Sequence, residues 1–188
     1  MDHRKLIDFL NKIEKLKCNT RHSYTTSGRK ESVAEHSWRL GVMAMLVADE
    51  FPELDINKVI KMSLIHDLGE AITGDVASFF KTDDNRRAEA LAIEELISML
   101  PEPHASEFCE LFAEMSERKT PEAKLLKALD NTEAVIAHNE ADISTWIPLE
   151  YSENLVYGEE NCAWHPWLVE FRKMLKEDSI KKIEEAKE

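Results

Sequence analysis

Two histidines and two aspartates interrupt apolar helical stripes in this chain. His36, Leu40, Met43 and Val47 fall on one face at spacings of four, three and four. Val59, Met62 and His66 share a second face, with Asp67 beside it, and Ala123, Leu126, Asp130, Ala134 and Ala137 share a third. A buried carboxylate is costly unless it is paired, hydrogen-bonded or bound to a cation. Two imidazoles and two carboxylates carried by three helices could meet inside a bundle, where helical proteins build metal sites. That donor set suits one divalent ion of the Mn, Co, Fe, Ni or Zn class, with water and substrate at the remaining positions. Helical spacing leaves a second reading equally open, in which the histidines are hydrogen-bonded core residues and Asp130 pairs with Lys124 or Lys127.

The elements that must position these groups are helical. Leu6, Leu10, Ile13 and Leu16 predict a first helix over about residues 3–17. Residues 18–31 are polar and turn-rich and are expected to form a loop. Ser32-Val33-Ala34-Glu35 has the form of a capping box, opening a helix that should reach about Glu50, ahead of Pro52. Ile56, Val59, Ile60 and Leu64 mark a third helix, ending near Leu68-Gly69. Residues 70–82, with Thr73-Gly74-Asp75, are expected to form a loop. Helices over 83–100 and 104–117 follow, and Thr120-Pro121 starts another that should reach about Glu140. Residues 142–164 are irregular and rich in aromatics, and a last helix covers 166–186. No segment alternates as a strand would. The expectation is an all-α bundle, one domain over residues 1–188.

Composition narrows the function classes. The formal charge of −13 argues against long nucleic acid as a partner, because Lys and Arg contacts to phosphate dominate that affinity. It leaves room for a small anion, since a bound cation and a few arginines can reverse the field in one pocket. Cys18, Cys109 and Cys162 are isolated, so neither a disulfide framework nor a thiolate zinc site is indicated. No apolar run approaches the ~18 residues of a membrane span. The first residues are charged and amphipathic, so a cytoplasmic protein without a membrane partner is expected.

The order of short motifs adds a resemblance. Glu31-Ser32-Val33-Ala34-Glu35-His36-Ser37, then Ile65-His66-Asp67-Leu68-Gly69-Glu70, then Thr73-Gly74-Asp75, then Leu129-Asp130 resemble the H…HD…D pattern of the HD-domain superfamily. Within it the chain is similar to the YfbR-like 5'-deoxynucleotidase branch of metal-dependent phosphohydrolases, over about residues 3–175. The resemblance implies an HD-domain helical bundle with its metal site between core helices. It implies metal ligation by His36, His66, Asp67 and Asp130, with His36, Asp67 and Asp130 also contacting substrate. Glu70 matches an acidic catalytic residue, and Asp75 one that contacts the nucleoside and assists catalysis. Arg21 matches an arginine that orients the phosphate. Asp75, Val76, Ala77 and Ser78 match a substrate-contacting loop.

One position departs from that pattern. The deoxynucleotidase branch has a tryptophan after the arginine, packed on the nucleoside, whereas this chain has His22, with Tyr24 near enough to substitute. Base and sugar preference therefore stay open, and a phosphatase for another small phosphorylated metabolite is the nearest alternative. A dinuclear-iron oxygenase would need further histidines between His66-Asp67 and Asp130, where the sequence offers only His104. A non-catalytic metal-binding module is the remaining class. His3, His138 and His165 fit no ligand spacing, so one ion rather than two is expected. Arg29, Lys30, Lys81, Arg86 and Arg87 are second-tier candidates near the mouth of the site. Trp146, Tyr151, Tyr157, Trp164 and Trp167 are expected to pack the last helix or to form a subunit contact. Related proteins of the branch are often dimers, which implies a homodimer.

Overall fold

The computed structural model describes residues 2–187. Several of its helices begin where short polar side chains satisfy free backbone N–H groups. α1 (His3–Ile13) is capped by Asp2, and Ser32 and Glu35 close the expected capping box on α2 (Val33–Leu46). Asp55 caps α3 (Ile56–Ile65), and a short α4 (Glu70–Thr73) follows. Thr82 and Asn85 form a second capping box on α5 (Asp83–Ser98), and α6 (His104–Glu117) comes next. Thr120 caps α7 (Pro121–Glu140), with proline at its first position. Short α8 (Glu150–Glu153) and α9 (Glu159–Cys162) lead to α10 (Pro166–Glu185).

The expected all-α architecture is present, and the largest departure from expectation is near the N-terminus. Residues 18–31 are not simply a loop: β1 (Thr20–Tyr24) pairs antiparallel with β2 (Lys30–Ser32). Thr20 faces Ser32 and Tyr24 faces Lys30, so β1 advances four residues while β2 advances two. The surplus bulges out of β1 at Arg21-His22-Ser23. Such irregularities turn side chains away from the ladder and commonly sit beside active sites. A three-residue strand opposite a bulged one shows no alternation, which is why the sequence pattern misses it.

Other boundaries shift. The first and second helices end early, at Ile13 and Leu46, and 3-10 turns cover Glu14–Lys17 and Ala48–Glu50. The third helix stops at Ile65, so His66-Asp67-Leu68-Gly69 forms a tight turn rather than a helix end. The supposed loop after it contains α4 and a 3-10 turn at Ser78–Phe80. A β-carbon on Gly69 would lie 2.9 Å from Glu89 Cγ and 3.0 Å from its carbonyl oxygen. Gly69 thus lets α5 close over α4.

α2, α3 and α7 enclose the main core, formed by residues such as Leu40, Val59, Met62, Leu125, Leu129 and Leu168. A second cluster of Phe9, Leu16, Val33, Leu68, Ala71 and Leu96 seats α1, α4 and α5. α7 is buried on most of its circumference, and its polar residues therefore need partners inside the protein. The segment 142–164 folds back onto it. Gly158, at φ +78°, has no room for a β-carbon, which would meet Asn131 Cβ at 2.6 Å. This close approach holds α8 and α9 against the middle of α7. Among the described residues no helix is long and apolar enough to cross a membrane.

Candidate metal centre and active site

α2, the turn after α3, and α7 bring His36, His66, Asp67 and Asp130 together. His36 Nε2 lies 3.2 Å from Asp130 Oδ1 and 4.0 Å from Asp67 Oδ2. His66 Nε2 lies 3.1 Å from Asp67 Oδ2 and 3.8 Å from Asp130 Oδ1. Donors at ~2.1 Å from one ion stand ~3.0–3.4 Å from neighbours and ~4.2 Å from an opposed partner; His36, His66 and Asp67 offer ligand atoms that all lie within 4.8 Å of one another, and Asp130 Oδ1 lies within 3.8 Å of both imidazoles.

The outer ring nitrogens fix the tautomers. His66 Nδ1 donates to the Ser63 carbonyl oxygen at 2.9 Å. His36 Nδ1 bonds Glu133, whose carboxyl is held down at about 2 because His36, Arg21 and Arg39 outweigh its burial. A carbonyl and a carboxylate can only accept, so each Nδ1 carries the proton. Each neutral imidazole then turns its Nε2 lone pair toward carboxylate oxygens, which are also acceptors. His66 Nε2 is buried with no hydrogen-bond partner among the described residues. Lone pairs facing lone pairs require a cation between them. In the metal-free protein a proton on His36 serves: burial and Arg21 oppose it, but Glu133 and Asp130 push His36 up to about 9. Burial also opposes the charges of Asp67 and Asp130, yet the histidines around both, and Lys127 beside Asp130 at 2.8 Å, keep both carboxyls well below the usual range. The Lys127 pairing and the ligand cluster therefore coexist, because the lysine takes Oδ2 and leaves Oδ1 toward the histidines.

The remaining expected residues line one open cavity beside this cluster. Arg21 and His22 enter from the bulge in β1, and Asp75, Val76, Ala77 and Ser78 enter from the segment after α4. Arg21 is half-buried, and Glu133 and Glu31 lie near it at 3.7 and 3.9 Å. Burial works against its charge, but these acids, with Asp67 and Asp130, raise its pKa further. Its Nη1, the nitrogen nearest Glu133, is itself buried and makes no hydrogen bond among the described residues. Glu70 also lines the cavity, and its Oε2 is likewise unpartnered. Burial, then Asp67, Asp75 and Glu89, push its carboxyl up to about 10, against the pull of Lys81. Asp75 is raised too, chiefly by burial.

Of the second-tier cations, Lys81 and Arg86 line the cavity, whereas Arg29 pairs with Glu35, Arg87 pairs with Asp84, and Lys30 is exposed. Arg118 and Lys127 also line the cavity, so that cations and carboxylates alternate around it rather than one sign prevailing. Tyr24 does not reach the cavity wall; Phe79 does, edge-on to His22 with ring centres 5.2 Å apart. Sequence reasoning missed Glu133, which is wholly buried and accepts from Arg39 at 2.6 Å as well as from His36. It also missed His138 and Glu150, which meet His22 at the cavity wall. The available signal for Glu133 was its place three residues after Asp130 on the most buried helix.

Comparison with known proteins identifies the family. A family model described as the HD domain matches residues 13–185. The 5'-deoxynucleotidase HDDC2 of Homo sapiens is 33% identical over 141 residues, covering 73% of this chain and 68% of that one. Its Danio rerio counterpart is 30% identical over 185 residues, covering 95% and 90%. The crystal structure of a predicted metal-dependent phosphohydrolase from Magnetospirillum magnetotacticum superposes with a TM-score of 0.80 at 30% identity, covering 95% of both chains. By sequence, fold and the convergence of its H…HD…D residues, this chain belongs to the HD-domain family.

Proposed function

We propose that the protein hydrolyses the 5'-phosphomonoester of a (deoxy)nucleoside monophosphate to nucleoside and phosphate. The observation that carries this reading is that Asp67 and Asp130, each within 4.0 Å of His36 and His66, line the same cavity as Arg21. The relatives named 5'-deoxynucleotidase, at 30–33% identity, support the substrate class.

His36, His66, Asp67 and Asp130 hold one divalent ion of the Mn, Co, Fe, Ni or Zn class at the reaction centre. Such an ion, when bound, polarises a phosphoryl oxygen and lowers the pKa of a coordinated water. Arg21 clamps the phosphate, and Lys81, Arg86, Arg118 and Lys127 draw the dianion into the cavity. Glu70 holds and moves a proton beside the phosphorus. Its raised pKa suits that task, because a cation at Asp67 draws the value back toward neutrality. Asp75, with the Val76-Ala77-Ser78 backbone, positions the nucleoside, and His22 forms part of the wall against it.

His22 and Phe79, in place of a stacking tryptophan, favour a second reading: a phosphatase for another small phosphorylated metabolite. A phosphate-release screen over nucleoside monophosphates and sugar phosphates, each with Mn, Co, Ni, Zn and Mg, separates the two. We expect deoxynucleoside monophosphates to lead. Equal turnover of sugar phosphates would sink the nucleotidase reading and leave the phosphatase.

Residues 1–188 act as a single HD domain in a homodimer. An exposed apolar stripe of Trp38, Met45 and Leu46 on α2, beside Leu64, supports a self-associating face. Light scattering in solution tests it. Three free cysteines fit a cytoplasmic setting.

A further inference from the structure

We propose that His22, His138 and Glu150 form a second metal site, taking a divalent transition ion of the zinc class, on the cavity wall. These residues share no ligand with the His36–Asp130 cluster, and the proposal does not depend on the substrate assigned above.

Three donor atoms converge there. His22 Nε2 lies 3.1 Å from His138 Nε2 and 3.2 Å from Glu150 Oε1, and His138 Nε2 lies 3.4 Å from Glu150 Oε1. The edges of a tetrahedron around a zinc-class ion, with donors at ~2.0–2.1 Å, are ~3.3–3.4 Å. The triangle is close to that size on every side. Two imidazoles and one carboxylate also form a complete set for an ion that keeps one exchangeable position.

Partners outside the triangle aim two of its three donors inward; His22 Nδ1 has none among the described residues. Asn154 Oδ1 accepts from His138 Nδ1 at 2.8 Å, which leaves the His138 lone pair on Nε2. Glu150 Oε2 accepts from the Ile147 backbone N–H at 2.7 Å, which leaves Oε1 turned to the two rings. Outer hydrogen bonds of this kind orient the ligands of known metal sites. Without a cation the arrangement is frustrated. His138 Nε2 and Glu150 Oε1 are both acceptors, and His22 has one Nε2 proton to offer them. His138 and Glu150 are buried, so water is poorly placed to relieve the conflict. The three residues line the same cavity as Arg21 and Asp75, so the fourth position opens toward it.

The test titrates metal-stripped full-length protein with Zn(II) and with Co(II), following heat and visible absorption. Four-coordinate Co(II) absorbs far more strongly than six-coordinate Co(II), so the two sites are distinguishable. We expect two ions per wild-type chain. Asp130→Asn should abolish only the weakly absorbing site. His22→Ala should weaken the strongly absorbing site more than ~100-fold, beyond the ~10–100-fold range of an outer partner such as Asn154→Ala. His138→Ala should do the same; if its circular dichroism shows it unfolded, half-buried His22 decides the question. One ion in the wild type, lost in Asp130→Asn, would overturn the proposal. So would two ions retained at full affinity in His22→Ala and His138→Ala, which would make the three residues a hydrogen-bonded cluster only.

Discussion

Glu133→Gln is the substitution whose effect follows most directly from the geometry. Glu133 is wholly buried; one oxygen meets His36 Nδ1, and the other accepts from Arg39 Nε and pairs with its Nη2, both at 2.6 Å. Glutamine keeps the volume but replaces one acceptor with an NH2 donor. If the amide oxygen stays on Arg39, the NH2 faces His36 Nδ1. His36 must then move its proton to Nε2, where it blocks ligation. If the amide turns round, the NH2 meets the Arg39 donors and the charge-assisted bonds are lost. Either way the metal-competent tautomer becomes costly. Changing an outer partner of a ligating histidine weakens metal binding ~10–100-fold, or ~1.4–2.7 kcal/mol at ~1.36 kcal/mol per decade. Calorimetric titration of Mn or Co into metal-stripped protein reads this change, and thermal melts of the metal-free protein control for folding. Phosphate release by the variant should recover as metal is raised. Unchanged metal affinity in a folded variant would refute the tautomer argument.

Three other outcomes are expected. His36 is pushed up from 6.5 to about 9 in the metal-free protein, so its stabilising contribution is complete below 6.5 and lost as pH rises toward 9; metal must displace that proton, and affinity should rise about tenfold per pH unit up to about 9, as titrations across that range would show. Glu70→Gln should cut kcat by ~10²–10⁴-fold while metal stoichiometry stays at the wild-type value, measured by phosphate release and metal analysis. Gly158→Ala should cost about 1–3 kcal/mol, lowering Tm by ~2–4 °C per kcal/mol, because its β-carbon would meet Asn131 Cβ at 2.6 Å; an unchanged melt would mean that α9 is not held there.

The candidate metal set was half legible: its members break an apolar period, which leaves ligation and core hydrogen bonding equally open, and the H…HD…D resemblance favours ligation. His36, His66 and Asp130 stand at or beside core-facing positions, where a polar group requires a partner. Helix starts were legible where capping chemistry is local, as at Ser32/Glu35 and Thr120-Pro121. The hairpin was not, because its second strand has three residues and its first is bulged. Arg21 and His22 could therefore be suspected from resemblance but not placed by pattern. Glu133 was hidden by composition: in a chain with 37 acidic residues, one more on a helix does not stand out. His138 and Glu150 were hidden by distance. Their meeting depends on the 142–164 segment folding back through Gly158, a tertiary contact that no local period encodes.

The most direct measurement is phosphate release from deoxynucleoside monophosphates by chelator-treated protein, before and after metal is restored, in the wild type and in Asp130→Asn. We expect no release from the metal-free wild type, recovery on adding Mn or Co, and no recovery in Asp130→Asn at the same metal concentration. Full activity in the metal-free wild type, or wild-type turnover by Asp130→Asn, would contradict a reaction centre built on His36, His66, Asp67 and Asp130.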